Sequence, residues 1–189
     1  MQKTIAALLA SAFALGAVLP AQSADAPDPY TLTYSTLGPV TVGMKVADAV
    51  KALGAGWSYR GMEEDNDPRC GHISQDGIWA GMTPTFMAQD GIVTRIEVGG
   101  NEINTDKGIH VGSTEAQVMA AYGKDVRATP HAYAGPPAKY LTVWFENAPK
   151  DENAEDPKAR GIQFVTDENQ IVVAIYAGDT SIMYIEGCA

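Results

Sequence analysis

Apolar residues recur at helical spacing in two places and at alternate positions through much of the remaining chain. Val46, Ala49, Val50 and Leu53 fall at i, i+3, i+4 and i+7, which predicts a short helix over 47–53, stopped by Gly54. Val118, Met119 and Tyr122 give a second stripe over 116–122, stopped by Gly123. Ser113 or Thr114 can cap this helix, and Gln117 stands where a capping box with Thr114 needs it. Helices this short are marginal alone and need a sheet to lie on. Alternation supplies one. Residues 77–82, 85–88 and 92–98 read as strands, the last two joined by a Gln89-Asp90-Gly91 hairpin turn. Residues 140–146, 161–166 and 171–177 read the same way, with a turn over Asp167-Glu168-Asn169-Gln170. A last strand is expected over 182–185, and a short edge strand over 31–35.

The two halves echo each other. Val40-Thr41-Val42-Gly43 leads into the first helix and Ile109-His110-Val111-Gly112 into the second. Gly43 and Gly54 recur 69 residues later as Gly112 and Gly123, with no gap between. A fixed-offset repeat decides architecture ahead of local signals. The expected fold is α+β, two tandem helix-plus-antiparallel-meander units, over about 38–105 and 106–189. They would form one sheet with the helices on one face.

The N-terminus changes the setting. Lys3, an apolar run over 5–19 and small residues at Ala21 and Ser23 make 1–23 an expected signal peptide. The run is short for a membrane span, which needs about 20 apolar residues. The expected product is a periplasmic or secreted single domain over 24–189 without membrane insertion. Its net charge of −10 argues against nucleic acid, whose phosphates are bound by clustered Lys and Arg. The same charge would favour a basic protein partner. Cys70 and Cys188 are the only cysteines, and in an oxidising compartment an even pair reads as one disulfide. Closing so long a loop would contribute about 4–5 kcal/mol before strain is subtracted.

Catalytic signatures do not emerge. His72, His110 and His131 lack metal-ligand spacing with one another or with Cys. Cys70-Gly71-His72 would suit a Cys–His nucleophile only if the thiol were free. There is no G-x-S-x-G elbow, phosphate loop or H-E-x-x-H. The acidic stretches 63–67 and 150–158 lack the spacing of a calcium loop and read as solvated loops. No cofactor or metal is expected.

The outward side of the strands is more suggestive. In 140–146, alternation puts Leu141, Val143 and Phe145 inward and Tyr140, Thr142, Trp144 and Glu146 outward. In 92–98, Ile92, Ile96 and Val98 go inward and Arg95 and Glu97 outward. In 171–177, Ile171, Val173 and Ile175 go inward and Tyr176 outward. Trp79 lies opposite Ile78 and Ala80. Trp, Tyr and Arg are enriched at binding hot spots. The expected binding set is Trp79, Tyr140, Trp144 and Tyr176 as anchors with Arg95 and Glu97 setting register. The alternative is that a loop or the leader covers this face.

Val40-Thr41-Val42-Gly43-Met44, a short helix ended by Gly54, and a meander carrying Gly91-Ile92-Val93 before Arg95-Ile96 resemble the repeat of the β-lactamase inhibitory proteins. The small lipoproteins of the outer-membrane assembly machine carry a single similar unit. The likeness covers most of 40–177. It implies two tandem units on one concave sheet, and a non-enzymatic protein-binding module that inhibits a secreted or envelope hydrolase. The lipoproteins imply instead a structural accessory of envelope assembly, although their lipid-anchor cysteine is absent here. The ending Tyr184-Ile185-Glu186-Gly187-Cys188 matches neither pattern. A small-ligand binder or an enzyme with a pocket between the repeats is the remaining reading.

Overall fold

The computed structural model describes residues 30–62, 67–77, 84–150 and 155–188. The expected signal peptide, most of the expected strand over 77–82, and Trp79 lie outside the described residues. In chain order the elements begin with β1 (Thr31–Leu32), β2 (Thr36–Leu37), β3 (Val40–Thr41) and α1 (Val46–Leu53). The strands β4 (Trp57–Met62), β5 (Asp67–Gln75), β6 (Thr85–Gln89), β7 (Ile92–Val98) and β8 (Asn104–Thr105) follow. Then come α2 (Glu115–Tyr122), β9 (Arg127–Pro130), β10 (Lys139–Glu146), β11 (Arg160–Thr166) and β12 (Val172–Gly178).

Eight strands form one antiparallel sheet in the order β4-β5-β6-β7-β12-β11-β10-β9. Two four-strand meanders therefore meet side by side at the β7–β12 seam, with Ile175 opposite Val98 and Gly178 opposite Arg95. Each helix is anchored to the last hairpin of its meander by the same backbone bonds. Gly43 donates to the Val93 carbonyl at 2.7 Å and Gly112 to that of Val172 at 2.8 Å. Val46 donates to Gly91 and Glu115 to Gln170. Both glycines sit at positive φ, +95° and +100°, where a side chain would strain the turn. Thr114 caps α2 in a capping box with Gln117.

One face of the sheet builds the core. Phe86, Ile96, Ile162, Phe164 and Ile175 are almost fully buried, in one cluster with Ala49 of α1 and Val118 and Tyr122 of α2. Met119 departs from the expected stripe. It is 42% exposed, and Ala121 packs against the core instead.

Further differences from expectation have local causes. The strands β4, β5 and β9 were not expected. Of its described side chains β5 adds only Ile73 to the core, and Gly71 leaves room there for the Tyr59 hydroxyl. The expected strand over 182–185 is a 3-10 turn over Thr180–Met183, opened by Asp179, whose carboxylate accepts from the Ser181 amide at 2.8 Å. A bulge between Val165 and Thr166 turns Val173 outward to 44% exposure. Between β6 and β7 the Asp90-Gly91 turn has both residues at positive φ, as a two-residue hairpin loop demands.

Cys70 and Cys188 form a disulfide, with Cα atoms 5.5 Å apart. It fastens the C-terminal segment to β5 on the side of the sheet away from the helices. Among the described residues no helix is long and apolar enough to cross a membrane.

Two glycine substitutions should separate space from backbone conformation. At Gly91 nothing lies near an added Cβ, so Gly91→Ala should cost only the strain of positive φ, about 1–2 kcal/mol. At Gly71 the same atom would stand 2.3 Å from the Arg60 carbonyl oxygen. Gly71→Ala should therefore lower stability in urea titration clearly more than Gly91→Ala, and equal losses would contradict this packing.

Candidate functional site

Register lays out the outer face in rows. One row runs Thr85, Glu97, Tyr176, Gln163, Thr142 and Arg127 across β6, β7, β12, β11, β10 and β9. Another places Met87, Arg95, Gly178, Gly161 and Trp144 in line. Tyr140, Trp144, Tyr176, Arg95 and Glu97 thus share one face of the sheet. Glu146 does not join them. A bulge between Trp144 and Glu146 turns it toward Tyr34, whose hydroxyl donates to it at 3.2 Å. Tyr34 stacks on Phe145 at 4.8 Å on the helix side.

The C-terminal segment crosses this face over its centre. The Arg95 guanidinium is 4% exposed. Its Nη1 donates to the carbonyls of Ser181 at 2.8 Å and Tyr184 at 2.9 Å. Its Nε and Nη2 donate to Glu97 Oε1 at 2.8 and 2.5 Å. Gly187 packs so closely on Arg95 that a Cβ there would stand 2.4 Å from Nη2. Arg95 and Glu97 are therefore not free to set register with a partner. They hold the chain's own C-terminus on the sheet. Among the described residues the covering segment is the stretch between β12 and the disulfide.

Burial alone would raise the Glu97 carboxyl. The hydrogen bond and charge of His72, whose Nε2 lies 3.5 Å away, and the charge of Arg95 outweigh it and hold the group at about 2. Thr85 Oγ1 donates to the other carboxylate oxygen at 2.9 Å.

The aromatic side chains remain accessible beside this strap. They line a groove of about 610 Å³ bounded by the β9–β12 half of the sheet, the 129–138 loop and Met183, Tyr184 and Ile185. Trp144 lies against Gly161, where a Cβ would stand 2.6 Å from the indole, so glycine is required for the ring to rest on the sheet. Tyr176 carries Arg95 over its face at 4.6 Å, and burial pushes its phenol above the ordinary value. Tyr140 stacks on His131 at 4.8 Å. His131 Nδ1 accepts from the amides of Tyr133 and Ala134 at 3.1 and 3.0 Å, which places the ring proton on Nε2. On the groove floor Gln163 donates to Thr142 at 3.1 Å. The Tyr133 hydroxyl donates to Glu186, tying the 129–138 loop to the strap.

Tyr133, Gln163, Arg127, Lys150 and Tyr184 line the groove without having been expected at a site, and so does His131, which the sequence raised only as a metal ligand. Gln163 was accessible to alternation in 161–166, but His131 and Tyr133 sit on an irregular loop that periodicity does not address. The lining offers stacking surfaces and hydrogen-bonding groups. Among the described residues no cluster of three or more His, Cys, Asp or Glu could hold a metal ion.

The Glu97 carboxyl has a folded value of about 2 against an ordinary 4.5. A depressed carboxyl contributes stability that is full above about 4.5 and is lost as pH falls toward 2. Glu97→Gln should therefore be less stable than the parent chain at pH 6, by roughly 2–3 kcal/mol, with the gap closing between pH 4.5 and 2. Urea denaturation of both proteins across that range measures it, and a gap independent of pH would contradict the assignment.

Against this geometry, comparisons with protein-family models, characterised proteins and solved structures found no match to the chain.

Proposed function

We propose that the chain is an exported, non-enzymatic protein-binding module that holds its partner in the aromatic groove, and that it blocks a secreted or envelope hydrolase by steric occlusion. The observation that carries this reading is the convergence of Tyr140, Trp144 and Tyr176 on one rigid groove wall. Large aromatic rings with few rotatable bonds lose little entropy on binding and anchor most interfaces. Export is supported by Lys3 and the apolar run before Ala21, together with a disulfide of the kind that persists in oxidising compartments. A duplicated unit is supported by the fixed offset between Gly43 and Gly112 and by the matching helix-to-hairpin bonds at Val93 and Val172. Within this reading Arg95 acts by holding the strap and Tyr176 rather than by touching the partner.

The volume of the groove supports a second reading, a small-ligand binder, because ligand pockets commonly span about 300–1,000 Å³. The two differ in what is retained on the protein. Cross-linked capture of the tagged mature chain from its own periplasm should recover a hydrolase in stoichiometric amount. Trp144→Ala and Tyr140→Ala should each weaken that complex by about 2 kcal/mol, roughly 30-fold in Kd. Recovery of outer-membrane assembly components would favour the accessory role, and affinity unchanged in both variants would remove the groove from the interface.

A further inference from the structure

The sign of the charge around the groove is opposite to that of the chain. The sequence has 23 acidic and 13 basic residues, and by net charge alone its partner should be basic. Yet among the described residues the charged side chains lining the groove are Arg127 and Lys150, with no Asp or Glu. Among the described residues, three carboxylates close to this lining accept hydrogen bonds within the fold. Glu186 accepts from the Tyr133 hydroxyl, Glu155 from that of Tyr184 at 3.2 Å, and Glu97 from Arg95 and Thr85. Arg127 and Lys150 are both exposed, and neither has a carboxylate partner among the described residues. Arg127 stands at the edge of the sheet beside Thr142, in the row that runs to Gln163 and Tyr176. Lys150 follows the buried Pro149 on the far side of Trp144 along the chain.

Resting on the protein-binding reading, we propose that the groove takes an acidic segment of the partner protein. An aromatic or apolar side chain of that segment lies on Trp144 and Tyr140, and its carboxylates meet Arg127 and Lys150. A guanidinium and an ammonium without a carboxylate partner among the described residues, at the rim of an aromatic groove, are completed by carboxylates, and the guanidinium can take one in two parallel hydrogen bonds. Lysine or arginine on the partner would meet like charge at the same two positions, which disfavours the wrong partner.

The disulfide-bonded chain can be titrated with three short peptides, each holding one tyrosine flanked by aspartates, by asparagines or by lysines. The readout is calorimetry, checked in the parent chain by the change in tryptophan emission. The aspartate peptide should bind about 10-fold tighter than the asparagine one, and the margin should shrink as salt rises. The lysine peptide should bind weakest. Arg127→Gln combined with Lys150→Gln should abolish the margin, and both residues are exposed, so an unchanged melting curve is expected of the double variant. Trp144→Ala should weaken all three peptides alike. Binding blind to charge but lost in Trp144→Ala would overturn the acidic segment and leave the groove as the binding site. No binding to any peptide, or binding indifferent to Trp144→Ala, would overturn both. Tighter binding of an oligogalacturonate than of the aspartate peptide would overturn the protein partner in favour of an anionic saccharide.

Discussion

Arg95 is a cation at the centre of an antiparallel sheet, buried to 4% exposure and facing away from the helices. A charge in that position must be compensated, and its donors must be used, or it destabilises the fold by several kcal/mol. Glu97, two residues along the same strand, supplies the opposite charge. The carbonyls of Ser181 and Tyr184 take both donors of Nη1. Opposite Arg95 on β12 stands Gly178, which has no side chain. The same guanidinium that needs acceptors thereby gives the chain leaving β12 a reason to fold back over its own sheet. Seven residues after Ser181, Cys188 reaches Cys70 and makes the return permanent.

That return creates the asymmetry on which a binding site depends. A uniform eight-stranded face would present a broad and shallow surface. The strap covers the middle of it and forms a wall, so the β9–β12 half becomes a groove rather than a plane. The aromatic residues in this half are fixed from beneath or beside: Trp144 by the missing Cβ of Gly161, Tyr176 by the guanidinium of Arg95, and Tyr140 by the ring of His131. Side chains held this way lose little further freedom when a partner arrives, and that saved entropy is the main advantage of preorganisation.

Both helices were legible because their stripes ended at glycines, and the β6–β7 hairpin because Asp-Gly specifies its turn. The strands β4, β5 and β9 were not. β5 reads as a polar loop because only Ile73 reaches the core, while its pairing comes from strands on both sides. Alternation placed Tyr140, Trp144, Tyr176, Arg95 and Glu97 on a common face, since none of them is the extra residue of a bulge. It misplaced Ile92, Glu146 and Val173 because bulges shift the period by one residue, and in β7 Val93 is the buried residue instead. What lay over the face was not readable at all. The strap depends on a tertiary match between one guanidinium and two carbonyls more than eighty residues away, and no periodicity encodes that.

Charge shows the same separation of scales. The net charge of −10 is a property of the whole surface and acts on approach, where salt screens it within about 8–10 Å. Arg127 and Lys150 act at contact, inside that distance, where the dielectric is lower and the geometry of a hydrogen bond matters. An acidic body can therefore slow the arrival of acidic molecules in general while two cations at one rim hold a carboxylate that has arrived in the right place. Composition alone cannot distinguish these effects, because it does not say where a charge stands. Glu97 counts fully toward the total, yet it is paired with Arg95 inside the fold. The sign that matters at the groove is set by Arg127 and Lys150, which have no carboxylate partner among the described residues.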